Sequence, residues 1–126
     1  MTVVVDASAL AAILFGESEG PEMARYLEDE TLVAPALIDF ELANIGLNKL
    51  RRAPDRMAKI ITALEHAESL NIERVAVPLT EVVTLAAETG LTAYDAAYLW
   101  VAISRDSELV TLDNRLAHVN QQLREG

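Results

Sequence analysis

Four separated acidic residues stand at positions where carboxylates could act together. Asp6 and Asp113 each follow a short hydrophobic segment typical of a strand. Glu41 interrupts an apolar helical stripe, and Asp95 falls in the first turn of an expected helix. Two carboxylates about 4 Å apart repel by roughly 4 kcal/mol at an effective dielectric of about 20, so a cluster needs a cation or protons. Oxygen ligands alone favour a hard ion, and the pattern predicts Mg²⁺ or Mn²⁺.

Each of these acids also has an ordinary structural explanation. Glu41 could mark the solvent-facing edge of its helix. Asp95 completes the capping-box pattern that begins at Thr92, and Asp113 could be the N-cap of the last helix. Ser8 and Thr111 could be a cap and a strand residue. Taken singly, the residues therefore leave the structural and the chemical roles open.

The elements that must position these acids follow from the hydrophobic pattern. The run Thr2 to Val5 is continuously β-branched, as expected of a central strand buried on both faces. Strands alternating with helices predict an α/β sandwich around a mainly parallel sheet, in which ligands bind beyond the carboxyl ends of the strands. The predicted strands are residues 1–5, 31–34, 74–77 and 108–112. The predicted helices are residues 9–15 with Ser8 as N-cap, 21–30, a helix that starts at Pro35, one that ends near Leu70, 78–89, 92–104 and 114–123.

Composition limits the possible classes of protein. A chain of 126 residues with about half of them apolar predicts one domain over residues 1–126. The absence of cysteine excludes disulfides, thiolate catalysis and cysteine zinc sites. The longest apolar run, Ala96 to Ile103, is too short to cross a membrane, and the chain opens on a strand without a basic leader. We therefore expect no membrane association and a cytoplasmic location.

The net charge of −10 argues against a simple electrostatic nucleic-acid binder. Five of the ten basic residues nevertheless fall within residues 49–59, which begin with a predicted turn between two helices, Lys49 to Pro54. Lys49, Arg51 and Arg52 are the candidates for contact with nucleic acid. An ordinary solvated corner between the helices is an equally good explanation.

Four segments in this order and spacing resemble one family over nearly the whole chain. The chain is similar to the PIN domain, and specifically to the VapC-type toxins. The matching segments are Val5-Asp6-Ala7-Ser8-Ala9-Leu10; Ala34-Pro35 with Glu41 and Asn44; Thr92-Ala93-Tyr94-Asp95-Ala96-Ala97-Tyr98; and Thr111-Leu112-Asp113 with Leu116.

The resemblance implies a three-layer α/β/α fold whose acidic residues bind Mg²⁺ or Mn²⁺ and hydrolyse RNA. Asp6, Glu41, Asp95 and Asp113 match the acidic positions, which implies that they are the catalytic and metal-binding residues. Ser8 and Thr111 match the small hydroxyl residues beside them. The expected protein is an endoribonuclease, active as the toxin of a type II toxin-antitoxin pair. Such domains often finish with a short edge strand, and here the chain stops after a polar helix.

The resemblance also implies partners. A homodimer is expected, together with a cognate antitoxin whose segment enters the active site. Because the site is acidic, that segment should carry arginine or lysine near Asp6 and Asp95. Two other functions remain open: a PIN-fold protein that only binds a partner, and an aspartyl phosphotransferase or receiver-like domain. The sequence argues against an aspartyl phosphotransferase of the dehalogenase type, because such a site needs a second acid two residues after Asp6 and this chain has none there.

Overall fold

The computed structural model describes all residues from 1 to 126 and alternates strands with helices. The strands are β1 (Thr2–Val5), β2 (Thr31–Pro35), β3 (Ile72–Val75) and β4 (Glu108–Val110). The helices are α1 (Ala7–Leu14), α2 (Gly20–Leu27), α3 (Ile38–Arg52), α4 (Met57–Ser69), α5 (Leu79–Thr89), α6 (Ala93–Ser104) and α7 (Asn114–Glu125), with a 3₁₀ turn at Pro54–Arg56. None of the seven helices combines the length and the hydrophobicity that a membrane-spanning segment needs.

The four strands form one parallel sheet in the order β3-β2-β1-β4. Val3, Val4 and Val5 are at most 2% exposed, because helices cover both faces of the central strands. The fold is a three-layer α/β/α sandwich, as predicted. Val5 of β1 pairs with Val110 of β4, so both strands end at the same level of the sheet. The residues that follow them, Asp6 and Thr111, are therefore brought together.

Several predicted boundaries were wrong. The N-cap of α1 is Asp6 rather than Ser8, because the Asp6 carboxylate accepts the hydrogen bond from the Ala9 N–H. Pro35 ends β2 instead of starting a helix. The third strand lies two residues earlier than predicted, and α3 continues to Arg52, so that the expected basic turn is its last helical turn. No strand follows α7, which leaves β4 at the edge of the sheet.

Candidate active site

A cavity of about 570 Å³ opens at the carboxyl ends of β1 and β4. All four predicted acids line it, although they come from four different parts of the chain. The start of α1, the first half of α3, the start of α6 and the residue before α7 form its walls. The lining residues are Asp6, Ala7, Ser8, Leu37, Phe40, Glu41, Asn44, Ile45, Tyr94, Asp95, Tyr98 and Asp113.

Asp6 is the most deeply placed of the acids, with 5% of its surface exposed. Its Oδ1 accepts hydrogen bonds from Ser8 Oγ at 2.7 Å and from the Ala9 N–H at 3.0 Å. Its Oδ2 accepts one from Thr111 Oγ1 at 2.5 Å. Burial raises the pKa of Asp6, these hydrogen bonds oppose the rise, and the charge of Asp113 adds to it. Burial therefore favours the protonated form of Asp6, and the hydrogen bonds from the two hydroxyl residues favour the ionised form.

Ser8 and Thr111 also close the loop between β4 and α7. Ser8 Oγ accepts a hydrogen bond from the Leu112 N–H at 3.0 Å, and Thr111 Oγ1 accepts one from the Asp113 N–H at 2.9 Å. The same two hydroxyls thus contact Asp6 on one side and the backbone next to Asp113 on the other. They fix the position of one acid relative to the other.

Glu41 is held by Tyr98, which is not among the predicted site residues. The buried Tyr98 donates a hydrogen bond from its hydroxyl to Glu41 Oε1 at 2.6 Å. Burial raises the pKa of Glu41, the Tyr98 bond opposes this rise, and the charges of Asp95 and Asp6 add to it. Burial and the Glu41 carboxylate together keep the Tyr98 hydroxyl protonated. The Tyr98 hydroxyl therefore remains a hydrogen-bond donor and orients the Glu41 carboxylate.

Asp95 and Asp113 differ in whether their carboxylates cap a helix. The cap of α6 is the Thr92 hydroxyl, which accepts a hydrogen bond from the Asp95 N–H at 3.1 Å, so the Asp95 carboxylate itself does not cap the helix. Burial raises the pKa of Asp95, as do the charges of Asp113 and Asp6, while the nearby Thr92 hydroxyl and the Arg115 charge lower it. Asp113 is exposed and does cap α7, since its Oδ1 accepts a hydrogen bond from the Leu116 N–H at 2.9 Å.

The donor chemistry of the cavity suits a hard divalent cation. Its possible ligands are carboxylate oxygens, and three of the four carboxyl groups have a raised pKa to which a neighbouring acid contributes. No three acidic or histidine side chains converge tightly enough to form a ready-made metal site. Mg²⁺ usually keeps several waters and binds through one or two carboxylates, so an open arrangement of this kind fits it. A cation here would relieve the mutual repulsion of the acids.

The predicted basic residues lie elsewhere. Lys49, Arg51 and Arg52 are in the last turn of α3 and do not line the acidic cavity. Lys49 Nζ pairs with Glu17 Oε1 at 3.1 Å and lies 5.3 Å from the centroid of the Phe15 ring. The structure therefore separates an acidic cavity from a basic region further along the same helix.

Tyr98 and Asn44 line the cavity and were not among the predicted site residues. Helical spacing carried a usable signal for both residues. Tyr98 lies three residues after Asp95 on α6, and Asn44 lies three residues after Glu41 on α3, so each shares a helix face with an acid.

Replacing Tyr98 with phenylalanine is expected to raise the pKa of Glu41, because the hydroxyl is the one hydrogen-bond donor that lowers it. The lost bond to a carboxylate should also reduce the free energy of unfolding by about 1–2 kcal/mol. Carbon-detected NMR titration of Glu41 and urea denaturation measure the two effects. Tyr94→Phe is the matched control, since Tyr94 is 64% exposed. An unchanged Glu41 pKa in Tyr98→Phe would contradict the positioning role.

Comparison with known proteins agrees with this geometry. The model of the PIN domain family matches residues 3–122. Ribonuclease VapC3 of Pyrobaculum aerophilum is 33% identical over 122 residues, which cover 93% of each chain. Ribonuclease VapC9 of Mycobacterium tuberculosis is 34% identical over 125 residues, covering 94% of this chain and 91% of the relative. A crystal structure of a protein from Pyrobaculum aerophilum superposes with a TM-score of 0.77 at 31% identity, covering 94% of this chain and 84% of that one. On this fold, this site and these relatives, the chain belongs to the PIN domain family.

Proposed function

We propose that this protein is a metal-dependent endoribonuclease that acts as the toxin of a type II toxin-antitoxin pair. The observation that carries the proposal is the convergence of Asp6, Glu41, Asp95 and Asp113 on one cavity. Its relatives are VapC ribonucleases, which supports RNA as the substrate and the toxin as the biological role.

The proposed cofactor is Mg²⁺ or Mn²⁺. Asp6, Asp95 and Asp113 would hold it directly or through water, and Glu41 would either share in holding it or orient the attacking water. When bound, such an ion polarises the phosphodiester and neutralises the charge that develops during hydrolysis. The oxygen-only donors and the raised pKa values of Asp6, Glu41 and Asp95 support this assignment.

The remaining chemistry falls to side chains whose positions are fixed. Ser8 and Thr111 hold Asp6 in place, and their hydrogen bonds oppose the rise that burial causes in its pKa. Tyr98 occupies Oε1 of Glu41 and leaves Oε2 without a partner in the chain. That oxygen is available to orient water or to accept its proton, and a raised pKa makes a carboxylate a better base.

Neither alternative function has a specific observation in its favour. An aspartyl phosphotransferase of the dehalogenase type would need a second acid two residues after Asp6, where this chain has Ser8. A protein that only binds a partner would have no need of four carboxylates that repel each other around one cavity.

The toxin proposal includes its partners. Lys49, Arg51 and Arg52 are proposed to guide RNA along α3, and the test is RNA affinity measured against salt concentration after their replacement with alanine. The antitoxin is proposed to insert a segment with arginine or lysine near Asp6 and Asp95, where the acids offer charge complementarity. An antitoxin segment that is acidic, or that binds elsewhere, would refute this. A homodimer is proposed on family resemblance.

The experiment that tests the function is cleavage of RNA by the purified chain, free of antitoxin. With Mg²⁺ or Mn²⁺ we expect products bearing a 5′-phosphate, and with EDTA we expect none. Asp6→Asn is the matched control, because it removes one carboxylate charge while keeping its shape. Thermal unfolding with and without Mn²⁺ reports cation binding independently of activity. Cleavage that persists in EDTA or in Asp6→Asn would reject the proposed mechanism.

A further inference from the structure

A second cavity, of about 450 Å³, lies at the opposite end of α3 from Glu41. We call it the basic cavity, because four cations line it and no acidic residue does. The end of α1, the last turn of α3, the 3₁₀ turn and the first half of α4 enclose it. Its lining includes Lys49, Arg52, Arg56 and Lys59, together with the Phe15 ring.

Three of these cations have no partner in the chain. Lys49 pairs with Glu17, but Arg52, Arg56 and Lys59 form neither an ion pair nor a side-chain hydrogen bond. By contrast, Arg74, Arg105 and Arg124 each pair with a carboxylate. Acidic residues outnumber basic ones by 20 to 10, so partners are abundant in this chain. The basic cavity is therefore a local excess of positive charge on an acidic protein.

Helix dipoles explain the positions of only two of the four cations in the basic cavity. Lys49 and Arg52 stand in the last turn of α3, where the negative end of the helix favours a cation. Lys59 stands in the first turn of α4, which contains no acidic residue, and Arg56 is its N-cap residue without a capping hydrogen bond. Cations are unfavourable at the positive end of a helix. An anion in the cavity would compensate the charge of these side chains at the positive end of α4.

We propose that the basic cavity binds a phosphodiester group of the RNA strand that is cleaved at the acidic cavity. The inference rests on the proposed ribonuclease function. Guanidinium groups bind phosphate in a bidentate manner and lysine binds it as a point charge, so two arginines and two lysines suit this ligand. Because phosphate is repelled by the acids of the catalytic cavity, the basic cavity supplies binding where the acidic one cannot.

The spacing of the two cavities sets a length requirement. Glu41 and Arg52 are eleven residues apart on α3, which is about 16 Å along the axis at about 1.5 Å per residue. A stacked strand advances about 3.4 Å per nucleotide, so roughly five stacked nucleotides, or fewer extended ones, bridge the two cavities. A dinucleotide, which is shorter than this even when extended, cannot occupy both. The inference thus predicts that the basic cavity strengthens the binding of long RNA and its cleavage at the acidic cavity, and does not affect the cleavage of a dinucleotide.

Arg56→Ala/Lys59→Ala tests the proposal, because both side chains are exposed and neither makes a contact that the fold needs. The probes are fluorescently labelled RNAs of about ten and about two nucleotides. Binding of the long RNA is measured in EDTA to prevent cleavage, and cleavage of both RNAs is measured in Mn²⁺. For the long RNA we expect about tenfold weaker binding at low salt and a salt-dependence slope smaller by about one to two. We also expect a higher KM for cleavage of the long RNA and an unchanged kcat/KM for the short one, which cannot reach the basic cavity from the acidic one. Arg25→Ala/Arg105→Ala removes the same charge from outside the cavity, and this variant should bind the long RNA and cleave both RNAs like the unmodified protein.

Unchanged binding of the long RNA, equal losses of cleavage for the two lengths, or an equal loss in the control would overturn the proposal. A combination of two results would also overturn the proposal: amide NMR shifts at residues 56–59 on titration with inorganic phosphate, and an affinity for long RNA that the double substitution leaves unchanged. That result would make the cavity a site for free anions. The experiment also distinguishes failure of this proposal from failure of the proposed ribonuclease function. If the protein binds long RNA through Arg56 and Lys59 but does not cleave it with Mg²⁺ or Mn²⁺, the RNA-binding role of the basic cavity stands and the ribonuclease function is rejected.

Discussion

Asp95→Asn is expected to raise the midpoint of thermal unfolding of the metal-free protein at neutral pH, to abolish most of the increase produced by Mn²⁺, and to remove RNA cleavage. The carboxylate does not cap α6, since Thr92 does, so its loss removes no capping hydrogen bond. It does remove a charge whose ionised form is disfavoured by burial and by Asp113 and Asp6. Asparagine keeps the shape of the side chain. Stability and activity should therefore change in opposite directions.

The pH dependence of stability gives a second readout of the same effect. Burial and neighbouring acids raise the folded-state pKa of Asp6, Glu41 and Asp95 above the ordinary values of 3.8 for aspartate and 4.5 for glutamate. Groups with a raised folded pKa stabilise the protein below those ordinary values, and this stabilisation is lost as the pH rises through the raised pKa. The metal-free protein should therefore lose stability above about pH 4, and less so in Asp95→Asn.

Thermal unfolding between pH 4 and 8 in EDTA, repeated with Mn²⁺ at neutral pH and accompanied by a cleavage assay, measures all of these effects. Asp39→Asn is the matched control, because Asp39 lies in the first turn of α3, outside the acidic cavity, and pairs with Arg74. A variant of Asp95 that unfolds at a lower temperature without metal, yet keeps the Mn²⁺ shift and normal cleavage, would falsify its place in the site.

Asp6→Ala should abolish cleavage and also destabilise the fold, whereas Asp6→Asn should abolish cleavage alone. Alanine removes the acceptor of three hydrogen bonds and leaves the Ala9 N–H at the start of α1 without its cap. Asparagine retains an oxygen for that N–H and removes the cost of a buried charge. We expect the two variants to differ by about 2–3 kcal/mol in the free energy of unfolding.

Urea denaturation in EDTA measures this difference between the two Asp6 variants. Comparing them directly cancels the loss of charge, which both share. Equal stabilities would mean that the hydrogen bonds from Ser8, Ala9 and Thr111 contribute nothing to the fold. Full cleavage by Asp6→Asn would remove Asp6 from the proposed mechanism, whatever its stability.

Much of the architecture could be predicted because it depends on local pattern. The uninterrupted run Val3 to Val5 indicates a strand buried on both faces, and the alternation of elements indicates a parallel sheet. The family resemblance singled out four acids, and the structure places all of them on one cavity. What the sequence could not supply is register: the pairing of Val5 with Val110, which brings the ends of β1 and β4 together, depends on contacts more than a hundred residues apart.

Other features of the site could not be predicted because a structural role and a chemical role of one residue are not alternatives. Asp6 and Asp113 each cap a helix and line the cavity, because a carboxylate has two oxygens and a cap needs only one. Tyr98 is a core residue with a polar end, and a hydrophobic pattern does not reveal where that end points. Pro35 was assigned to a helix start, although its ring is equally suited to end a strand.

The hydrogen bonds to Asp6 have a consequence for cation affinity that concerns entropy. A flexible ligand side chain loses rotamer freedom when an ion binds, and that loss weakens the binding. Asp6 has already lost this freedom during folding, because Ser8, Ala9 and Thr111 hold both of its oxygens. The exposed Asp113 is fixed through one oxygen only. The proposed site therefore combines a preorganised anchor with more adaptable ligands, and substitutions at Ser8 or Thr111 would weaken binding through disorder rather than through loss of a donor atom.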